Sequence, residues 1–332
     1  MPKVGVVGTT SWGTTLGVIT ARQGIDVSIW ARTEDEAVKL QTDRENARFL
    51  PGVPFPDSMS VSASPCEALG DAELVLIVVP SRTFRANVRR VCGALPSDAI
   101  VVSATKGIES GTGKRMSEVL ADELPASMHG GLCALSGPNL SREIIGGKPA
   151  STVIASTNPD AARAAQRIIN SNLFRVYTNE DIVGVEFGGA LKNIIALAAG
   201  VCDGLNYGDN AKAAIITRGL AEIGRLAEAA GANPLTLAGL AGMGDLIATC
   251  SSTLSRNHYF GRRLALGESP EAIQASMDNV AEGVDTTQGA ITVAKRLGIE
   301  MPIAEAMHSV IFEGVSLERA VSALLERAPR PE

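Results

Sequence analysis

The feature that most constrains this chain is a change of period near residue 180. Before it, short β-rich apolar runs alternate with helical stretches. The runs are KVGVVG (3–8), DVSIWA (26–31), LVLIVV (74–79), AIVVSA (99–104), LCALSG (132–137), STVIAS (151–156) and FRVYT (174–178). Most are continuously apolar rather than alternating, which marks strands buried on both faces and a mostly parallel sheet with right-handed crossovers. From residue 183 strands stop. Stretches such as GVEFGGALKNIIALAAGVCDGL and AKAAIITRGLAEIGRLAEAAG carry apolar residues at helical spacing instead. The expected architecture is α/β: a doubly wound parallel sheet over residues 1–182, then an all-helical domain over 183–332. No linker composition marks 179–190, so the two are expected to pack rigidly about a cleft. A chain of 332 residues, 45% hydrophobic, can bury two cores.

The first strand runs into GTTSWG (8–13), a glycine-rich turn that opens a helix. It is one residue short of two phosphate loops. A dinucleotide turn, G-x-G-x-x-G, has its outer glycines at Gly8 and Gly13 but Thr10 in the middle. A triphosphate loop would need a lysine where Thr14 stands. Losing that lysine removes the charge on the phosphates, and no magnesium-holding acid is evident nearby. Losing the middle glycine only crowds the approach to the pyrophosphate, and the threonine hydroxyl can compensate. A β-branched residue also disfavours positive φ, so the turn is expected to deviate from a glycine turn. The strand–turn–helix–strand context favours the dinucleotide reading, and with it a Rossmann-like first domain. The second strand ends in Arg32 and Thr33 with no acid before Glu34. That places an arginine, suited to an adenosine 2′-phosphate, at the ribose end, so that NADP is tolerated or preferred; a solvated arginine is the plainer alternative.

In such sheets ligands collect beyond the carboxyl ends of strands. Lys106 follows 99–104, and Gly137, Asn139 and Ser141 follow 132–137. In the helical half, Lys192 should lean back over Gly188 and Gly189. Two glycines in a helix cost about 1 kcal/mol each. They therefore serve either an approaching flat ring or tight helix packing. Asp245, Thr249, Ser255, Arg256 and Asn257 lie in Gly-, Ser- and Thr-rich segments where side chains could converge, and Arg beside Asn suits a phosphate monoester.

Net charge of −6 argues against a nucleic-acid or anionic-membrane footprint. The scattered, odd-numbered cysteines lack C-x-x-C spacing, arguing against disulfides and a metal cage. The N-terminus lacks a signal-peptide pattern, and the longest apolar run, IIALAAGVC, falls short of the roughly 20 residues that span a bilayer. A soluble cytoplasmic protein is expected. Only three histidines occur, none on a predicted strand edge, so lysine must carry any proton transfer. Arg82, Arg85 and Arg89 read as a solvated helix face.

Taken in order, GTTSWG, ATKGIE, LSGPNLSREI, GVEFGGALKNIIALAAGVCDGLNYGDNAKAAIITRGL, GMGDLIATCSSTLSRNHYFG and NVAEGVDT closely resemble the bacterial NAD(P)-dependent glycerol-3-phosphate dehydrogenase family. The resemblance covers nearly the whole chain. It implies reversible reduction of dihydroxyacetone phosphate to sn-glycerol 3-phosphate with NADH or NADPH, supplying phospholipid synthesis. It also implies a C-terminal domain like that of 6-phosphogluconate dehydrogenase. By the same resemblance, Ser11, Trp12, Arg32, Ser141, Val280 and Glu282 contact the cofactor. Lys106 touches both cofactor and substrate. Gly137, Asn139, Asn193 and Thr249 face the substrate. Lys192 is the proton donor/acceptor with Asp245 its acidic partner, and Ser255, Arg256 and Asn257 hold the substrate phosphate, Arg256 also nearing the cofactor. Thr10 departs from the family's middle glycine, and Ser141 stands where alanine is frequent. Expected partners are a small phosphorylated ketone or alcohol, with no nucleic acid, membrane span or metal; homodimerisation stays open. Two other readings are a β-hydroxyacid or ketopantoate-type reductase and a non-catalytic NADP-binding regulator.

Overall fold

The computed structural model describes residues 2–277 and 281–328. The chain divides into two compact units, Met1–Lys106 with Met116–Glu186, and Gly107–Arg115 with Phe187–Glu332.

The first unit is an eight-stranded sheet in the order β3-β2-β1-β4-β5-β6-β7-β8. Its strands are β1 Lys3–Val7, β2 Asp26–Trp30, β3 Met59–Ser62, β4 Leu74–Ile77, β5 Ile100–Ser103, β6 Leu132–Ser136, β7 Ala150–Ala155 and β8 Phe174–Asn179. All neighbours pair in parallel except β6 with β7, which run antiparallel. Helices α1 (Ser11–Ala21), α2 (Glu34–Asp43), α3 (Pro65–Leu69), α4 (Phe84–Val91), α5 (Met116–Glu123), α6 (Ser141–Ile145) and α7 (Pro159–Ile169) cover it. The apolar runs read from the sequence are the buried strands: Val4, Val6, Leu74 and Leu76 pack into one core face, Val7, Val75 and Ile77 into the other. Burial on both faces is what makes these runs continuous. β3 was not anticipated. It is a short edge strand whose MSVS alternates buried and exposed residues, too weak a signal beside the central runs.

Arg85 and Arg89 of α4 do not form a purely solvated face. Both bind Glu123 of α5, and Arg85 also pairs with Asp122 at 3.0 Å. The hydrogen bond from Arg89 and that from Arg85 hold the Glu123 carboxyl below its usual range, against a rise from desolvation.

The second unit is helical: the greater part of α8 (Ile182–Gly204), then α9 (Gly208–Ala229), α10 (Pro234–Leu237), a π turn over Leu240–Gly244, α11 (Asp245–Ser251), α12 (Arg256–Ala265), α13 (Pro270–Ala275), α14 (Glu282–Leu297), α15 (Pro302–Phe312) and α16 (Leu317–Leu325). Helix α8 is long and apolar enough to cross a membrane by length and composition, which the nine-residue run IIALAAGVC understates. In the fold 94% of its apolar window is buried inside the protein, the signature of a core helix.

Three glycines let α12 lie against α8. A Cβ on Gly261 would sit 1.9 Å from the Leu197 carbonyl oxygen, one on Gly200 2.1 Å from that of His258, and one on Gly204 2.5 Å from the Ala265 side chain. Glu222 of α9 is buried and accepts the Ile303 N–H at the start of α15 at 2.8 Å. Desolvation pushes its carboxyl up to about 7, against the backbone donors of Ile303 and Ala304.

Candidate active site

The sheet order fixes where the first unit can hold a ligand. The chain leaves β1 toward β2 on one side and returns to β4 on the other, so the carboxyl ends of β1 and β4 form the switch point of the fold. The glycine turn sits there. Gly8 takes φ +121°, and a Cβ on it would meet the Val78 carbonyl oxygen at 2.4 Å; a Cβ on Gly13 would meet the Gly8 carbonyl oxygen at 2.3 Å. Both outer glycines are therefore demanded by geometry.

Thr10 avoids the positive φ that a β-branched residue disfavours. Its φ is −66°, ordinary extended backbone, so no glycine is needed there. Its hydroxyl donates to the Val78 carbonyl at 3.0 Å and accepts the Gly13 N–H at 3.1 Å, capping α1 and tying the turn to the end of β4. Such a cap contributes about 1 kcal/mol to the helix. Ser11 opens α1. The Trp12 indole packs edge-on against Phe174, and its buried N–H finds no acceptor among the described residues. Asn46, which nothing in the local sequence singled out, is buried and donates to the Thr9 carbonyl and the Thr14 hydroxyl, both at 2.8 Å. It is a strut for the turn.

A tight turn held by two glycines and opening onto a helix N-terminus free of acidic side chains in its first turn fits a bound pyrophosphate. Arg32 lies exposed past β2. On the same unit the Lys106 ammonium donates to the Gly137 carbonyl at 2.8 Å. Gly137 takes φ +149°, and a Cβ on it would meet the Thr152 α-carbon at 3.0 Å. The Asn139 amide donates to the Thr152 hydroxyl at 3.0 Å, and its own oxygen has no partner among the described residues. Ser141 is the first residue of the short α6.

In the second unit, α8 and α11 bring a second group together. The Lys192 ammonium lies 2.9 Å from Asp245 Oδ1 and donates to the Thr249 hydroxyl at 2.5 Å, while that hydroxyl donates to Asp245 at 3.2 Å. The lysine and aspartate side chains are 7% and 2% exposed, so this is a closed charge pair. Losing one partner of such a pair typically costs 3–5 kcal/mol. One residue on, Asn193 accepts from the Asn257 amide at 2.8 Å, and Asn257 accepts the Gly283 N–H at 2.9 Å. Among the described residues the Asn193 amide, itself buried, has no acceptor. Ser255 caps α12 through the His258 N–H, leaving Arg256 exposed at its first position. Glu282 opens α14. Val280 lies outside the described residues.

Of the two explanations for the glycines beneath Lys192, packing is what Gly188 serves. A Cβ there would meet the Ala241 carbonyl oxygen at 2.6 Å and Leu237 at 3.1 Å, so its space belongs to the protein. Sequence reasoning also missed Asp203 and His258. His258 is buried, and its Nε2 lies 2.6 Å from the Asp203 carboxylate, which also accepts from Lys212 at 2.6 Å. Burial alone would raise the Asp203 carboxyl, but these two hydrogen bonds bring it below its usual range. Burial pushes the Cys250 thiol, on α11, up to about 12, a protonated and unreactive group.

Known proteins are similar to this chain along nearly its whole length. The pattern of the NAD-dependent glycerol-3-phosphate dehydrogenase N-terminus matches residues 3–162, and that of its C-terminus residues 181–322. The chain is 51% identical over 327 residues to a glycerol-3-phosphate dehydrogenase [NAD(P)+] of Dehalococcoides mccartyi, covering 98% of this chain and 91% of that one. It is 45% identical to the protein of that name from Chlorobium limicola, covering 99% of each. A crystal structure of glycerol-3-phosphate dehydrogenase from Coxiella burnetii superposes with a TM-score of 0.93 at 36% identity, over 98% of this chain and 99% of that one. A ketopantoate reductase from Ralstonia eutropha, at 18% identity and a TM-score of 0.59, shares the fold. The chain belongs to the NAD-dependent glycerol-3-phosphate dehydrogenase family.

Proposed function

We propose that this chain reduces dihydroxyacetone phosphate to sn-glycerol 3-phosphate, reversibly, with NADH or NADPH. The observation that carries the reading is the closed Lys192–Asp245–Thr249 group, set beside an asparagine whose amide lacks an acceptor among the described residues, in a chain of this family. Buried lysines are rare unless paired, and a titratable pair of this kind is a candidate for chemistry.

When bound, the cofactor supplies a hydride for C2 of the ketone. The chain's own residues do the rest. Gly8, Gly13, Thr10, Ser11 and Trp12 hold the pyrophosphate, Arg32 the adenosine ribose, and Ser141, Glu282 and Val280 further parts of the cofactor. As C2 gains the hydride pair, the carbonyl π electrons move to oxygen. The Lys192 ammonium gives a proton to that oxygen, which yields the alcohol and a neutral amine that solvent reprotonates. Asp245 and Thr249 fix the ammonium, and Lys106 adds positive potential where charge develops. Asn193, Gly137 and Asn139 orient the substrate. Ser255, Arg256 and Asn257 take its phosphate, a positioning effect that can be worth several kcal/mol of barrier. The product of this reaction would supply the glycerol phosphate backbone of phospholipids.

The test is a panel of ketones assayed by NADH and NADPH oxidation. Turnover should be confined to dihydroxyacetone phosphate and close phosphorylated analogues. Preference for a carboxylated ketone such as ketopantoate would overturn the phosphate assignment, and no oxidation with any ketone would overturn catalysis.

A further inference from the structure

Asp203 sits in the last turn of α8, where the negative end of the helix dipole and the unbonded carbonyls both disfavour a carboxylate. Two donors from other helices offset this, and both reach the same oxygen. Lys212 of α9 donates to Oδ2 at 2.6 Å, and Nε2 of His258 of α12 lies 2.6 Å from it. Desolvation would raise the Asp203 carboxyl, but the Lys212 and His258 hydrogen bonds hold it below its usual range. An ionised carboxylate only accepts, so Nε2 carries the proton and His258 is the donor. One oxygen atom thus ties three helices together.

The tie is made in the first turn of α12, whose first three residues are Arg256, Asn257 and His258. The glycine contacts at 200, 204 and 261 set how closely α12 approaches α8, but they carry no directional bond. Direction comes from two side chains, Asn257 donating to Asn193 and His258 donating to Asp203. Asn257 is itself a phosphate ligand in the reading above, so its bonds are partly committed to substrate. The bond from His258 is not. Successive helical residues are about 100° apart around the axis, so a His258 ring locked onto α8 and α9 turns Arg256, two residues earlier, to roughly the far side of the helix. Arg256 is exposed there, whereas Asn257 and His258 are buried.

We infer that His258, held by Asp203 and Lys212, is a positioning residue for the substrate phosphate: it fixes the rotation of the first turn of α12, and with it the direction from which Arg256 and Asn257 meet the anion. This deepens, and rests on, the reading of that turn as the phosphate site. The phosphate group does not change during reduction of the ketone, so a device that orients its ligands acts on ground state and transition state alike. Its loss is therefore felt in KM rather than in kcat.

The test is steady-state reduction of dihydroxyacetone phosphate and of dihydroxyacetone, its phosphate-free counterpart, by the intact protein. His258→Leu should raise KM for the phosphorylated ketone roughly tenfold, one charge-assisted hydrogen bond, with kcat within about twofold. Its kcat/KM for dihydroxyacetone should match that of the wild-type chain. His258→Gln, whose amide N–H can reach the same oxygen, should recover most of the loss. Asp203→Asn, which keeps the shape of the acceptor without its charge, should fall between. Equal losses on both ketones would reduce His258 to a structural role, and an unchanged KM for dihydroxyacetone phosphate would remove it from the phosphate site; either sinks the inference alone. Should His258→Leu not fold, the same two outcomes are read from Asp203→Asn. A wild-type chain with no preference for the phosphorylated ketone would sink the phosphate reading with it.

Discussion

Thr10 shows how a residue that breaks a motif can serve the structure the motif encodes. A positive φ would have called for glycine at this position, but the backbone there is extended. The hydroxyl bridges the Val78 carbonyl and the Gly13 N–H, so it fixes the turn that a glycine would leave freer. Thr10→Gly should therefore bind cofactor more weakly, by about 1 kcal/mol, the worth of the lost hydrogen bond to the Val78 carbonyl. Titration with NADPH would show a several-fold rise in Kd; tighter binding would mean that the threonine crowds the pyrophosphate after all. The motif could be read from the sequence because spacing alone decides where Gly8 and Gly13 fall. Asn46 could not, because its bonds to Thr9 and Thr14 span more than thirty residues and depend on the fold already formed.

At the level of elements, the contact of α8 with α12 matters most, because Lys192 and Asn193 ride on one and Asn257 on the other. Gly261 is where the two backbones meet most closely. Gly261→Ala would force a methyl into the Leu197 carbonyl, and neither backbone can yield without moving a helix. We expect a loss of about 3 kcal/mol, at the upper end of overpacking costs, seen as a lower unfolding midpoint in denaturant. Gly93→Ala, where a Cβ would meet nothing within 4 Å, should leave the midpoint unchanged or slightly raised. A midpoint for Gly261→Ala equal to that of Gly93→Ala would contradict the close packing. The same contrast explains what the sequence revealed about elements. Central strands are apolar on every residue and declare themselves, whereas β3 at the sheet edge buries only alternate residues and hides among serines. The glycines at 188 and 189 invited a ligand explanation because close packing and ligand approach leave the same mark in a sequence; only the position of the Ala241 carbonyl separates them at Gly188.

Across the whole molecule, the architecture was legible because period is a property of every residue in an element, so single misreadings average out. The site was legible in part. Lys192, Thr249 and Asp245 belong to helices linked by the distinctive GGALKN and GMGDLIATC stretches, and the fold joins them. Asp203 and His258 carried no spacing signal, since the Gly200 contact that places α12 on α8 is tertiary. The account depends above all on the Lys192 ammonium as the proton source. The direct measurement is Lys192→Ala, with steady-state reduction of dihydroxyacetone phosphate and cofactor titration on the same preparation. The account predicts that turnover falls roughly a thousandfold while the Kd for NADPH stays nearly unchanged. Turnover close to that of the wild-type chain would contradict it.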